Sequence, residues 1–363
     1  FDIHHIITDG ASVNILFKSF SNAYEGKEIE KETIDGYINA LIENENENSD
    51  EYIACERYFH DLLSQEVDST VLTPNINGNP DDGKLKSISK NINPQIIRKF
   101  CADERISPNI LFMASTILNL NKYTFTDKSL ITTIYNGRTS SDYFNTQAFL
   151  VKTLPLIFNN ENRQATIKEF INDIDKVWKD TINHSEYPYT NIAQDYQLKP
   201  EFFFTYQEFL EEDSIVINGK SYQDYELADE DILATSYKIN FDLYAYEDKF
   251  VFKLDYNDQL YSQDYIETFL NSIINVINQL IEEDIDKLRI SEIELGESKK
   301  EPAFTPVDTP ILHKRFEKQV SDTPDDVALI ACDATLTYKQ LNEKTNIIAN
   351  ALIDMGVKPK NNI

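Results

Sequence analysis

Phe1-Asp2-Ile3-His4-His5-Ile6-Ile7-Thr8-Asp9-Gly10 sets two adjacent histidines, an Asp four residues after the second, and a Gly directly behind it. From Ala11 to Tyr24 the apolar residues fall at Val13, Leu16, Phe17, Phe20 and Tyr24, which is helical spacing. Gly26 suits the position just past the end of such a helix. The histidines are therefore expected on a turn between an extended segment and a helix, where rigid elements on both sides aim a side chain into a cleft. A neutral imidazole takes a proton from an attacking nucleophile near neutral pH, because imidazole titrates close to working pH. Adjacent side chains cannot both face one pocket, so one of His4 and His5 is expected to face outward or serve structure. Asp9 can fix the turn by a buried ion pair or by capping the helix, and Gly10 permits positive φ and close backbone approach. A lone histidine pair is usually satisfied structure. With five histidines in the whole chain and two of them adjacent in this pattern, function is the better reading.

Composition narrows the classes. The 363 residues suffice for two or three domains, and 41% are hydrophobic, with 21 Phe and 20 Tyr to build sizeable cores. No run approaches the roughly 18–20 apolar residues of a membrane helix, and no basic-then-apolar leader opens the chain. The balance of 34 basic against 62 acidic residues leaves a net charge of −28, which argues against a nucleic-acid partner and for a solvated acidic surface. Cys55, Cys101 and Cys332 are odd in number, widely spaced and without a CxxC pair, so they read as reduced thiols of a cytoplasmic protein. The first residue is not Met and falls within the motif, so the natural start is expected upstream.

Along the chain, residues 34–42 and Tyr52–Leu63 read as helices, joined by the acidic run Glu43–Glu51, a solvated loop and helix start. Ser64–Lys84, with Asn79-Pro80-Asp81-Asp82-Gly83, carries turn chemistry and reads as the link between two lobes. Lys84–Ile92 reads as extended and Pro94–Cys101 as a short helix. Ser107 and Pro108 supply the N-cap and first position of an apolar helix to Leu120. Strands are expected at Leu130–Tyr135, Phe149–Phe158, Tyr237–Tyr246, Phe250–Tyr256 and Leu288–Leu295, and helices at Ile167–Ile182 and Tyr265–Ile281. Glu247-Asp248-Lys249 turns a hairpin. This mixture indicates a layered α/β sandwich. Residues 296–310 lose apolar periodicity and read as a linker. A helix at Ile311–Val320, a strand at Val327–Cys332, and a helix opened by Leu336-Thr337-Tyr338-Lys339-Gln340-Leu341 and running to Met355 follow.

His4-His5-Ile6-Ile7-Thr8-Asp9-Gly10 resembles the HHxxxDG signature of condensation domains of non-ribosomal peptide synthetases. Asn136-Gly137-Arg138, Phe149–Leu156, His184-Ser185-Glu186-Tyr187-Pro188-Tyr189 and Phe203–Gln207 resemble later motifs of that family, in the family's order. Resemblance covers about residues 1–295, and Leu336–Leu341 resembles the first core motif of adenylation domains. Departures are Lys152 for the family's Asn, Ile157 for a basic residue and Ser185 for Gln, mostly at lobe-packing and tunnel positions. The Asn136–Arg138 and His184–Tyr189 segments read as bridging architecture, not as catalysts.

The resemblance implies a two-lobed, chloramphenicol-acetyltransferase-like α/β sandwich plus the N-terminal edge of an adenylate-forming domain. Its boundaries are residues 1–75 for the remaining N-terminal lobe, 76–295 for the C-terminal lobe, 296–310 for the linker and 311–363 for the adenylation start. It implies amide bond formation between a donor acyl thioester and an acceptor aminoacyl thioester. Both substrates ride on 4′-phosphopantetheine arms of upstream and downstream carrier domains, and ATP concerns only the incomplete adenylation domain. His5 is implied to be catalytic, with His4 beside it, Asp9 mainly architectural, and Gly10 behind it. Asp9's basic partner is expected in the N-terminal region before Phe1, and the isolated stretch is expected to be inactive. The alternatives are a catalytically degenerate docking platform, an epimerisation domain or an ester-forming acyltransferase of the same fold. No partner among nucleic acids or membranes is expected.

Overall fold

The structure, a computed structural model, describes residues 3–29, 38, 47, 49–64, 70, 72–138, 141, 144–199, 201–208, 214–217, 220–223, 237–296, 312–330 and 335–356. The helix expected over 34–42 lies outside the described residues apart from residue 38, as do Cys332 and all but the first residue of the expected linker. Described elements before residue 297 belong to one compact unit, and those from Leu312 onward to a second.

The first unit is built on a six-stranded sheet flanked by helices. In chain order the elements are α1 (Gly10–Tyr24), α2 (Asp50–Leu63), β1 (Leu85–Ile92), α3 (Pro94–Glu104), α4 (Pro108–Thr124), β2 (Lys128–Tyr135) and β3 (Lys152–Asn159). There follow α5 (Ile167–Asn183), α6 (Tyr189–Asp195), β4 (Phe202–Glu208), the hairpin β5 (Ser214–Ile217) and β6 (Lys220–Gln223), β7 (Ile239–Ala245), β8 (Phe250–Asn257) and α7 (Gln263–Glu282). The strand order is β1-β8-β7-β4-β2-β3. β7, β4 and β2 run parallel to their neighbours in that trio, and the remaining pairs are antiparallel.

Side-chain alternation assigns the two faces. In β7, Ile239, Phe241, Leu243 and Ala245 are buried in the main core, while Asn240, Asp242 and Tyr244 point the other way. The register carries this across the sheet, so Thr205, Asp242 and Lys253 share the polar face. Asp242 accepts a hydrogen bond from Thr205. Burial, and secondarily the Asp255 charge, hold its carboxyl above the usual range despite that bond. The apolar face packs with α4, which is buried around its whole circumference from Ile110 to Asn121, its Ser115 and Thr116 hydroxyls donating to the Leu111 and Phe112 carbonyls one turn back. Ser107 caps α4 with Pro108 behind it, as their residue types predict. A smaller core joins Tyr52, Cys55, Phe59 and Leu63 of α2 to Leu130, Leu154, Tyr187 and Ile192.

Two expectations are corrected. The strand expected at Leu288–Leu295 is a short 3-10 turn, Ile290–Glu292. Its surrounding backbone is spent on the start of α5: Ile167 and Lys168 donate to Leu288 and Ile285 (2.8 and 3.0 Å), and Ile290 and Ser291 donate to Ala165 and Arg163 (3.1 Å each). Burial of Ile285, Ile290 and Ile293 mimicked a strand's apolar run. The strand expected from Phe149 begins only at Lys152, because the residues before it are bonded to α1.

The second unit, taken by itself, comprises α8 (Leu312–Asp322), the antiparallel pair β9 (Val327–Ile330) and β10 (Thr335–Thr337), and α9 (Tyr338–Asp354). Thr337 caps α9 in a reciprocal box with Gln340 (3.3 and 3.0 Å). Among the described residues no helix is long and apolar enough to cross a membrane.

The same reciprocal device starts α5, where Glu169 donates its amide to Thr166 Oγ1 (3.2 Å) and Thr166 donates its own to Glu169 Oε2 (2.8 Å). Thr166→Ala is expected to lower unfolding stability by about 1 kcal/mol, read as a fall in the denaturant midpoint. An unchanged midpoint contradicts a role for this cap.

Candidate active site

The motif folds as two short steps. His5–Ile7 forms a single 3-10 turn, and Thr8 is extended before α1 begins at Gly10. His4 caps the turn: its Nδ1 accepts the Ile6 amide (3.1 Å), which requires the tautomer with an unprotonated Nδ1. Both histidines are exposed, but His4 serves the backbone and His5 does not. Among the described residues neither ring nitrogen of His5 has a hydrogen-bond partner, and the imidazole is exposed. Its ring meets Phe149 edge-to-face, with centroids 5.5 Å apart.

Asp9 performs both roles its position allows. As N-cap of α1 its Oδ1 accepts the Ser12 amide (2.8 Å). Its Oδ2 accepts Arg138 Nη1 (2.7 Å) and the Leu150 amide (2.9 Å). Both side chains are sealed from water, at 0% exposure for Asp9 and 2% for Arg138. The expectation that Asp9's basic partner precedes Phe1 is therefore corrected: the partner is Arg138. It reaches Asp9 because Asn136-Gly137-Arg138 leaves the end of β2 toward α1. The second guanidinium nitrogen donates to Ser12 Oγ (2.8 Å) and to the Thr146 carbonyl (3.1 Å). Burial pushes the Asp9 carboxyl up, but the Arg138 and amide hydrogen bonds and the Arg138 charge outweigh it and hold the group below the usual carboxylate range.

The last stretch before β3 is stitched to this hub at alternate residues, Thr146, Ala148 and Leu150. Ser12 Oγ donates to the Ala148 carbonyl (2.7 Å) and lies 3.0 Å from the Ala148 amide. Tyr135 faces Lys152 in the β2–β3 register, and continuing that register sets Gly137 opposite Leu150. Gly137 has φ of +73°, and a Cβ there would stand 2.0 Å from the Leu150 carbonyl oxygen. Only glycine meets both demands. Gly10 is different: it starts α1 without positive φ, and a Cβ on it would meet nothing within 4 Å. The close backbone approach anticipated for Gly10 belongs to Gly137.

The other expected segment packs rather than reacts. His184 stacks on Tyr58 (centroids 4.1 Å apart), and its Nδ1 lies 2.6 Å from the Asp180 carbonyl oxygen. Tyr187 is buried against Tyr52 and Phe59 and donates to Asp195 Oδ2 (2.8 Å). Lys152 and Glu186 form an ion pair that ties β3 to this segment. Sequence reading missed Ser12, Arg138 as Asp9's partner, and Phe149. The available signal was a buried Asp needing a cation, and an Arg following directly on a strand-end glycine. Among the described residues no group of three or more His, Cys, Asp or Glu side chains could hold a metal ion.

A presented imidazole on a turn that a buried ion pair holds, set on a mixed α/β scaffold, defines the class of site. A sequence model of the condensation domain matches residues 1–301, and the chain belongs to that family. Gramicidin S synthase 2 of Aneurinibacillus migulanus is 24% identical over 380 residues, covering 99% of this chain and 8% of the relative. Tyrocidine synthase 3 of Brevibacillus parabrevis is 26% identical over 390 residues, 98% of this chain and 6% of the relative. The chain thus spans under a tenth of these curated relatives. In fold it is similar to AB3403, a four-domain non-ribosomal peptide synthetase bound to AMP and glycine (TM-score 0.67, 16% identity, 98% of this chain and 29% of that one). It is also similar to the condensation domain of the Monacolin K polyketide synthase MokA (TM-score 0.66, 17% identity, 79% and 69%).

Two expectations follow. Asp9→Asn keeps a capping oxygen but strands the Arg138 charge, and is expected to cost about 3–5 kcal/mol in denaturant unfolding. Because the folded Asp9 carboxyl titrates below its unfolded value of about 3.9, its stabilisation is complete above that pH. It fades as pH falls through the folded value, so the gap between wild type and Asp9→Asn closes in acid. A gap independent of pH argues against the charge. Gly137→Ala is expected to lose at least about 1–3 kcal/mol by the same measurement, and an unchanged midpoint contradicts the approach to Leu150.

Proposed function

We propose that the first unit forms amide bonds between a donor acyl or peptidyl thioester and an acceptor aminoacyl thioester, with His5 at the reacting centre. The observation that carries this reading is the exposed His5 ring, with no hydrogen-bond partner among the described residues, on a turn that the His4 and Asp9 side chains hold. Membership of the condensation family and the ordered later motifs support it. His5 takes a proton from the attacking amine, or orients it, as the amine nitrogen bonds to the thioester carbonyl carbon. The tetrahedral oxyanion then collapses, the C–S bond breaks, and the donor arm's sulfur leaves and takes up the amine's proton as a thiol. General-base help of this kind contributes roughly 10²–10⁴-fold. Tethering of both substrates by phosphopantetheine arms on carrier domains adds the proximity that a free bimolecular reaction lacks. In this reading Asp9 and Arg138 hold the geometry, His4 caps the turn, and the uncrowded Gly10 keeps the start of α1 open beside His5.

The second unit is, in this proposal, the opening of an adenylation domain. Leu336-Thr337-Tyr338-Lys339-Gln340-Leu341 spans the end of β10 and the capped start of α9. Similarity to AB3403 and to the curated synthetases extends over nearly the whole chain, beyond residues 1–301. A condensation unit followed by an adenylation unit is the order of an elongating module, which disfavours an epimerisation domain or an ester-forming enzyme. ATP then concerns the second unit alone, and residues 1–75 and 76–295 are the two lobes that meet around His5.

The test is single-turnover transfer between chemically loaded donor and acceptor carriers, followed by intact-protein mass spectrometry with the unit in its synthetase. His5→Ala is expected to slow transfer by roughly 10²–10⁴-fold with carrier loading intact. Equal yields from wild type and His5→Ala contradict the assignment. Failure of the wild type with both carriers fully loaded favours the docking-platform alternative.

A further inference from the structure

The stitched segment 146–150 explains a contact that the motif alone does not. Thr146, Ala148 and Leu150 are buried, while Phe149 between the last two is 43% exposed, so burial alternates with the period of extended backbone. Ala148 is fixed on one side of Phe149 by Ser12, through both its amide and its carbonyl (3.0 and 2.7 Å). Leu150 is fixed on the other by Asp9 Oδ2 (2.9 Å) and by the close approach of Gly137. The backbone on either side of Phe149 is therefore immobilised, and alternation turns its side chain away from the buried side. There it meets the imidazole of His5 edge-to-face, with centroids 5.5 Å apart and planes at 73°. That separation and angle lie within the preferred range for aromatic pairs.

We infer that Phe149 is a positioning residue: it sets the orientation of the His5 ring, and through it the Asp9–Arg138 hub acts on the imidazole from a second side. The first route is covalent, along the turn from His5 to Asp9. The second runs from Asp9 and Ser12 through the backbone of 148–150 and across the ring contact. A ring held from one end only can turn about its side-chain bonds, whereas a second contact with a ring on fixed backbone restricts that turning, and small misplacements of a reacting group are costly. The assignment of a catalytic purpose to the contact rests on the condensation reading of His5.

The test uses the whole chain with ¹³C-labelled histidine, its His5 signals assigned by His5→Gln, beside transfer assays in the synthetase. Phe149 is substituted by Leu, which keeps bulk without a ring, and by Tyr, which keeps the ring. In Phe149→Leu the His5 ring signals are expected to lose the ring-current displacement of the neighbouring aromatic. The limiting single-turnover rate is expected to fall about 10–100-fold, with half-saturation by the acceptor carrier unchanged. Phe149→Tyr is expected to restore both readouts. Unmoved His5 signals in Phe149→Leu overturn the contact. Moved signals with an unchanged rate, or a Tyr variant as slow as Leu, overturn the positioning role. A wild type that transfers nothing between loaded carriers overturns the condensation reading, and the catalytic purpose with it, while the signals still report the contact.

Discussion

A carboxylate removed from water has to be repaid by hydrogen bonds and opposite charge, and the site depends on how Asp9 is repaid. Its two oxygens accept from three donors, contributed by α1, by the end of β2 and by the approach to β3. None of the three is dispensable to the others. The Ser12 amide exists as a donor only because α1 starts there, Arg138 arrives only because Gly137 lets the chain pass Leu150, and the Leu150 amide is free only because β3 starts two residues later. One buried charge thus sets where a helix begins, where a strand begins and how the connection between them runs.

The two histidines illustrate how adjacent identical residues part company. His4 satisfies a backbone amide within its own turn, a local solution available to any side-chain acceptor at that place. His5, one residue on, makes no such bond among the described residues and meets an aromatic ring instead. The difference lies in geometry imposed by the turn, and the chemistry open to each follows from it.

Much of this was legible in the sequence, and the failures have identifiable causes. Helices with strong periodicity and capping residues, such as α4 behind Ser107 and Pro108 or α9 behind Thr337, end within a few residues of where their patterns place them. The hairpin of β7 and β8 was legible because alternation and a charged turn agree. Leu288–Leu295 misled because buried isoleucines near one another look the same whether they line a strand or a turn that caps another helix. At the site, His4, His5 and Asp9 are legible since they are contiguous, and so is Asp9's dual capacity as cap and ion-pair partner. The identity of its partner was not, since a one-dimensional reading searches close by. Arg138 lies 129 residues away, and its role depends on a glycine whose need for positive φ and close approach appears only when Leu150 is opposite.

That separation bears on how the chain acquires its shape. Closing a loop is thermodynamically cheap at this length, each doubling adding only about 0.6 kcal/mol, yet contacts so far apart in sequence form late and slowly. The ten residues that carry the motif are contiguous, but the turn gains its bracing only when the β2–β3 hairpin has formed and met the start of α1. A nascent or partly unfolded chain holds every residue of the signature and none of its geometry. Such a form lacks the bracing, so the placement of the His5 ring reports the completion of folding across more than a third of the polypeptide.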